Sequence, residues 1–266
     1  MPLSYIAVYV VCLLASLLGP LCGIGGGVII KPVVDALGVM PVAAVSFLSS
    51  ISVLTMALAT LVQNAVANTS TVNVRSLLPL AVGSAVGGVI GKALFNGMAA
   101  SFPHADTIGA VQALVLIALS ALVLVYTFNK SRVHGLHVEG AATKAVVGFV
   151  AGACWSFLGI GGGPFNLAIL TFFFAMESKP AAQASLFIIA FSQMASLVYS
   201  LLTGSVPEVA LVVLAGACLA AIVGSVVGRK LVKKMDSTAI DRLYLMALVV
   251  IIAICCYNAL SFAGML

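Results

Sequence analysis

The chain has 266 residues, of which 63% are hydrophobic and only 7% are charged, and its mean hydropathy is +1.26. An ordinary soluble domain carries roughly 25% charged residues, so a soluble fold could not cover this much apolar surface. The composition therefore predicts an all-α integral membrane protein that is surrounded by the lipid bilayer. We expect no attached ATPase, kinase or nucleic-acid-binding domain, and we interpret the net charge of +5 as a record of membrane orientation rather than as a nucleic-acid surface.

Two of the eight predicted hydrophobic segments are interrupted by glycines. The first, residues 3–38, precedes three single spans at about 41–63, 77–98 and 107–128. The second, residues 142–177, precedes three further spans at about 181–203, 208–230 and 239–262. Each interrupted segment is long for one span at 1.5 Å per residue and short for two complete spans with a turn. We expect either a broken helix or a re-entrant hairpin of two half-helices.

The two halves of the chain carry the same signals in the same order, which indicates duplication. The motif Gly-Ile-Gly-Gly-Gly at 23–27 recurs at 159–163, and the stretch at 41–46 resembles that at 180–185. Further on, a series of small residues followed by a basic one recurs: Gly83, Gly87, Gly91 and Lys92 match Ala220, Gly224, Gly228 and Arg229. The predicted domains are a first transmembrane repeat of four segments at 1–129, a basic cytoplasmic linker at 130–141 and a second four-segment repeat at 142–266.

The basic residues predict how the halves are oriented, because Lys and Arg collect on the cytoplasmic side of a membrane. If all eight segments cross simply, the 12 Lys and Arg residues divide 8 to 4 between the two faces. If 3–38 and 142–177 each enter and leave on one side, ten share a face and only Lys31 and Lys92 lie opposite. We therefore predict inverted repeats in the cell inner (cytoplasmic) membrane, as in many secondary transporters. In this arrangement both termini lie outside; a tilted broken helix is the alternative.

The glycine breaks are the strongest candidates for a binding site. Three consecutive glycines cost a helix about 1 kcal/mol each relative to alanine, and unwound backbone at membrane depth must line protein or a water-filled cavity. The half-helix after each break offers free N–H groups and a partial positive charge. We predict that the breaks bind an anion through the backbone of six glycines: Gly25, Gly26, Gly27, Gly161, Gly162 and Gly163. The alternative is that the glycines only allow close helix packing.

Two side chains near the breaks are further candidates. Lys31 lies one helical turn beyond Gly27 and could face the same cavity, or its ammonium could reach the membrane interface. Asp35, four residues on, could neutralise it. Asn166 could donate a hydrogen bond to an oxyanion or cap exposed carbonyl groups.

Hydroxyl and amide groups on the following helices complete the predicted site. Ser46 and Ser185 occupy matching positions in the two halves, although membrane hydroxyls commonly bond to backbone instead. Gln193 stands in apolar surroundings and needs a partner, either another helix or the substrate. The small-residue series at four-residue spacing marks close helix contact, within one protomer or in a homodimer.

The stretches Gly-Ile-Gly-Gly-Gly-Val-Ile-Ile-Lys-Pro at 23–32 and Gly-Ile-Gly-Gly-Gly-Pro-Phe-Asn-Leu at 159–167 resemble the paired signatures of the sulfite exporter TauE/SafE family. The resemblance covers essentially the whole chain. It implies transport of small sulfur-containing or carboxylated anions such as sulfite, sulfonates or sulfoacetate, and it does not choose among them.

These patterns predict a secondary anion transporter that exports its substrate by alternating access around the breaks. We expect it to use no cofactor and no metal. An anion channel of the same architecture is the alternative. An intramembrane enzyme would need a nucleophile with a base, or a metal site, and His104, His134 and His137 all fall in predicted loops. The carboxylates, Asp35 among them, fall near segment ends, which disfavours a proton relay.

Overall fold

The computed structural model describes residues 3–101, 105–130, 132 and 135–262. Within them the chain forms ten α-helices, and eight of these are long and apolar enough to cross a bilayer. The protein is therefore a multi-pass membrane protein, and the all-α prediction is confirmed. The helices are α1 (Leu3–Cys22), α2 (Gly27–Leu37), α3 (Val42–Val66), α4 (Val74–Ser101), α5 (Ala105–Asn129), α6 (Ala141–Leu158), α7 (Gly163–Phe173), α8 (Ser178–Leu202), α9 (Leu211–Val232) and α10 (Ser237–Phe262).

The six predicted single spans correspond to α3, α4, α5, α8, α9 and α10. Each helix begins and ends within three residues of its predicted bounds. The agreement follows from one physical requirement: a helix must run uninterrupted for about 20 apolar residues to cross the hydrocarbon core, and polar connections mark where each run stops.

The glycine motifs interrupt the helices where predicted, but they do not divide each segment into equal halves. α1 has 20 residues and α6 has 18, so each is long enough to cross a bilayer, whereas α2 and α7 have 11 residues each. The interruption itself is as predicted, and the two parts of each segment differ in length. Helix α1 stops because Gly23, Gly25 and Gly26 adopt φ angles of 63°, 72° and 70°, a left-handed conformation that glycine reaches without steric cost.

Helix α2 folds back along α1. A Cβ atom placed on Gly26, at the start of α2, would lie 3.2 Å from the carbonyl oxygen of Ala15. Farther along, Ile30 and Val34 belong to the same buried cluster as the earlier α1 residues Val8 and Cys12. Later residues of α2 thus pack near earlier residues of α1, so the two helices are antiparallel.

Helix α7 returns in the same way toward the start of α6. The amide N–H of Leu136 donates to the carbonyl of Phe172, and that of Val138 donates to Phe173, each over 2.8 Å. These bonds tie the end of α7 to the connection that leads into α6. Both interrupted segments are thus hairpins of one long and one short helix.

The long members of the hairpins each pack against a helix of the other half through glycines. Gly224 and Gly228 of α9 lie against the backbone of Leu13 and Leu17 of α1, which sets α9 parallel to α1. Helix α4 packs against α6 in the same way, and the two helices are parallel. The contacts place Gly83, Gly87 and Gly91 of α4 against Ala145, Phe149 and Ala153 of α6. Small residues permit this close backbone approach. The predicted small-residue faces are therefore covered within the chain.

Hydrogen bonds from basic side chains join the ends of seven helices at one end of the bundle, the basic end. The Lys130 ammonium, after α5, lies 2.6 Å from Ser178 Oγ at the start of α8 and 3.4 Å from the Asp241 carboxylate in α10. Further bonds of this kind join α6 to α4 and α9 to α3: Lys144 donates to Ser76 and Arg229 donates to Asn64. Lys31 and Lys92 are buried away from this end.

Candidate functional site

The two glycine breaks meet in direct backbone contact. Gly27 lies against the carbonyl group of Ile160, and Gly163 lies reciprocally against the carbonyl group of Ile24. A Cβ atom on Gly25 would stand 3.4 Å from the Cα of Gly163. The atoms nearest to the Cβ positions of Gly27 and Gly163 are backbone, which cannot move aside as a flexible side chain can, so glycine is required on both sides of the contact. The structure thus brings the six predicted glycines together.

The backbone at this contact offers several unused hydrogen-bond donors. In the described part of the chain, the amides of Gly25, Gly26, Gly161, Gly162 and Gly163 donate no hydrogen bond to a protein acceptor. They precede or begin α2 and α7, whose N-termini carry a partial positive charge. Donors and charge of this kind suit an anion.

Asn166 lies in the first turn of α7 with its side-chain amide at the second break. Its Oδ1 accepts a hydrogen bond of 2.8 Å from Trp155 Nε1, and since an indole N–H can only donate, this bond fixes which end of the amide faces the tryptophan. The Nδ2 group then points toward Gly162, where a Cβ atom would lie 2.8 Å from it. Asn166 is buried, and Nδ2 has no hydrogen-bond partner within the described residues.

Gln193 of α8 reaches the same break from the other side. Its Nε2 lies 3.6 Å from the Cβ position of Gly161. The residue is only 2% exposed, yet neither Oε1 nor Nε2 has a partner among the described residues. A buried amide without hydrogen bonds costs about 1–3 kcal/mol, so Gln193 carries donor and acceptor groups that no described residue satisfies.

Ser46 of α3 lies against Gly159, at the start of the second break, and its hydroxyl likewise has no partner in the described structure. The matching residue, Ser185 of α8, behaves differently: its hydroxyl donates to the carbonyl of Gly23 over 2.8 Å. Ser185 therefore stabilises the backbone of the first break. This is the alternative given above for membrane hydroxyls, which commonly bond to backbone. The unused side-chain donors therefore gather at the second break, on Asn166, Gln193 and Ser46.

Lys31 is buried in α2 and is paired with a carboxylate. Its Nζ lies 2.7 Å from Asp35 Oδ2, and the two side chains are 2% and 5% exposed. The prediction that Asp35 neutralises Lys31 is confirmed, and the alternative of an ammonium at the interface is wrong because the side chain does not reach the surface. Asp35 lies farther along α2 than Lys31, so the Lys31 ammonium is turned away from the glycine break.

A family model described as "Sulfite exporter TauE/SafE" matches residues 8–255. The match includes both glycine breaks and nearly all of the ten helices. The chain belongs to the sulfite exporter TauE/SafE family. No curated protein and no solved structure matches it. As a member of a membrane transporter family, the protein is a multi-pass membrane transporter.

One polar residue of this TauE/SafE protein becomes prominent only in the structure. Lys92 of α4 is 6% exposed; it donates no hydrogen bond to the described residues and forms no ion pair with them, although its Nζ lies 5.1 Å from the ring centroid of Phe95. It lines a narrow cavity between α3, α4 and α8 together with Gln193. In the sequence Lys92 is only a marker of the repeat and of orientation. Its position inside a predicted span was the signal that could have identified it.

Of the three histidines weighed for enzyme chemistry, the one that the structure describes lies away from the glycine breaks of this TauE/SafE protein. His137 lies in the connection before α6 and touches the carbonyl of Gly135. His104 and His134 lie outside the described residues. Within the described chain, no three His, Cys, Asp or Glu side chains are placed to hold a metal ion.

Proposed function

We propose that this protein is a secondary transporter that exports small sulfur-containing or carboxylated anions, such as sulfite, sulfonates or sulfoacetate, across the cytoplasmic membrane. The observation that carries the proposal is the set of unused donors where the breaks meet: Asn166 Nδ2, Gln193 Nε2, the Ser46 hydroxyl and the glycine amides. An oxyanion presents several acceptor oxygens and no donor, so it matches such a site.

Inverted halves and alternating access are part of the proposal. The two hairpins support it, since α2 folds back along α1 and α7 returns toward the start of α6. Each long hairpin helix packs in parallel with the third segment of the other half, as expected when the halves are related by an axis in the membrane plane. Rocking of one half against the other would open the glycine contact to each side in turn.

The basic end is proposed to face the cytoplasm, with both termini outside, because positive residues collect on the inner side. An inside-negative potential then drives an anion outward, with about 2.3 kcal/mol per charge for each 100 mV. Export therefore needs no coupled ion.

The direct test is to measure anion binding and flux with the purified protein. We expect sulfite, thiosulfate or sulfoacetate to raise the melting temperature, since a ligand that binds the folded state stabilises it, while zwitterionic taurine serves as a matched control without net charge. The stabilising anion should then leave proteoliposomes faster when the potential is negative on the side of the basic end. If none of these anions, nor a simple carboxylate, raises the melting temperature or moves, the proposed function is wrong.

Replacement of Asn166 by alanine tests the site assignment. We expect Asn166→Ala to weaken anion binding at least tenfold, because one charge-assisted hydrogen bond contributes roughly 1.5–3 kcal/mol. The melting temperature of the ligand-free protein should also fall, because the indole N–H of Trp155 loses its acceptor. Asn258→Ala is the matched control: Asn258 is equally buried, but its amide donates to the carbonyl of Pro32 over 2.8 Å. The control should lose stability and keep affinity. Equal affinity in both variants would contradict the assignment.

Cysteine labelling tests the proposed topology. Cysteines substituted for Lys130 and Lys233 should react with a membrane-impermeant reagent from the same face, since both positions belong to the basic end. Labelling from opposite faces would exclude the inverted arrangement. Single-channel recording addresses the channel alternative, because unitary currents would rule out alternating access.

A further inference from the structure

An unpaired cation lies in a narrow cavity beside the glycine breaks. Lys92 lines this cavity with Ser50, Gln193, Ser196 and Ser200, among apolar side chains of α3 and α8. Within the described residues, no carboxylate lies within ion-pair distance of Lys92. A buried ammonium without a counter-ion is costly, and the nearby Phe95 ring offsets only part of that cost. The cavity has a volume of only about 10 Å³, space for about one water, so an anion can pair with Lys92 only when α3, α4 and α8 move apart. Such an anion would offset the cost.

This cavity leads from the second break toward the end of the bundle opposite the basic end. Gln193 forms its inner end, since its Nε2 reaches Gly161. Ser200 forms its outer part, two residues before α8 ends at Leu202. Another residue of this outer region, Ser205, accepts a hydrogen bond from Asn96 of α4. The cavity therefore lies between the second break and the outer end of α8.

A second cavity approaches the first break from the basic end. Arg229 of α9 lines it with Asn64, Lys179, Ala182 and other residues of α1, α3, α8 and α10. A Cβ atom on Gly23 would lie 2.6 Å from the backbone of Ala182, so the inner end of the cavity reaches the first break. A wider pocket continues outward from Arg229 to the surface.

Arg229 is also free of an ion pair in the described structure. Its guanidinium donates to two neutral oxygens, Asn64 Oδ1 at 2.7 Å and Thr69 Oγ1 at 3.1 Å. Glu177 lines the wider pocket at the surface but does not pair with it. Arg229 thus keeps its full positive charge for a ligand that enters from this end.

Lys92 and Arg229 occupy matching positions in the two halves, one residue after Gly91 and Gly228. We infer that they form two outer anion subsites, one on each access path, where a small oxyanion pairs with Lys92 or with Arg229 before or after it occupies the glycine breaks. This inference rests on the proposed function and adds two charged residues to it. Each cation attracts the substrate to its own side, and neither is neutralised by the protein.

Sided flux measurements test the two subsites separately. The probe is sulfite, or whichever anion of the panel the wild-type protein moves, in proteoliposomes of determined orientation. Lys92→Gln should raise the apparent KM at least tenfold for substrate offered at the face opposite the basic end, and Arg229→Gln should do so for substrate offered at the basic end. The matched control is Lys230→Gln, because Lys230 is the neighbour of Arg229 on α9 but is exposed. It should leave both KM values unchanged.

A second variant separates binding from folding. Lys92→Met removes the charge and suits the apolar surroundings, so we expect an unchanged or higher melting temperature for the ligand-free protein and at least a tenfold higher sulfite concentration for half-maximal stabilisation. A lower melting temperature with full sensitivity to sulfite would show that Lys92 is structural and would overturn the inference.

The outcomes also distinguish the inference from the proposed function. If the wild-type protein moves an anion and both charge-removing variants change KM less than twofold from either face, the outer subsites do not exist and the transporter proposal stands. If the wild-type protein moves no anion, the proposed function fails, and the inference that rests on it fails too.

Discussion

The two glycine breaks have nearly the same backbone but different chemistry. The φ angles of Gly23, Gly25 and Gly26 are 63°, 72° and 70°, and those at the equivalent positions 159, 161 and 162 are 69°, 73° and 91°. Around the first break, two hydroxyls donate to break carbonyls: Ser185 to Gly23 and Ser49 to Gly27.

The second break is surrounded by polar atoms that the protein leaves unused. Asn166 and Gln193 stand there, whereas the aligned positions of the first half are the apolar residues Ile30 and Leu54. The unwound backbone is present on both sides, where it forms the contact between the breaks, and the unused side-chain donors lie on one side. A ligand at the centre would therefore be held mainly from the second half.

The largest effect is expected from alanine at Gly27 or Gly163, because these residues form the reciprocal backbone contact. Either Cβ would collide with a carbonyl group of the other break, so the loops must separate. Overpacking of this kind costs about 1–3 kcal/mol, and we expect both variants to lower the melting temperature by similar amounts and to lose transport.

Gly97→Ala is the control for this pair, since a Cβ atom there meets nothing within 4 Å and alanine favours the helix. A thermal melt in detergent checks all three variants. If Gly27→Ala and Gly163→Ala were as stable as the control, the contact between the breaks would be excluded.

The second prediction removes the difference between the breaks. Gln193→Leu places at the second break the residue that the first half has at position 54. We expect at least a tenfold loss of anion affinity, together with a stability gain of about 1–3 kcal/mol, because an unsatisfied buried amide is removed. Thermal melts with and without sulfite measure both quantities.

Gln112→Leu is the matched control for Gln193→Leu. Gln112 is 1% exposed, but its Nε2 donates to the carbonyl of Phe157 over 2.7 Å, so its loss should lower stability and leave affinity intact. The prediction requires that Gln193→Leu raises stability and that Gln112→Leu lowers it. A destabilised Gln193→Leu protein with normal affinity would show that Gln193 serves only packing.

The sequence predicts the parts of this molecule that depend on local composition. Apolar length defines the spans, and the cost of consecutive glycines in a helix locates the breaks. The unequal helices of each hairpin were also open to prediction, because the motifs at 23–27 and 159–163 lie beyond the middle of 3–38 and 142–177. The backbone contact between the two motifs could not be predicted, because it joins residues far apart in the chain. The state of each polar side chain depends on distant residues too: Ser46 and Ser185 look equivalent in the sequence, yet only Ser185 meets a carbonyl, 162 positions away.

The smallest effect is expected from removing these two hydroxyls, and it should separate the roles of the two breaks. Ser185→Ala removes a hydrogen bond to Gly23 and should cost about 1 kcal/mol of stability with affinity nearly unchanged. Ser46→Ala removes a hydroxyl without a partner, so stability should hold while affinity falls about threefold to tenfold. Each alanine variant is the control for the other, because the positions match in the two halves. Melting curves recorded over a range of sulfite concentrations give both quantities, and identical behaviour of the two variants would mean that the breaks share the ligand equally.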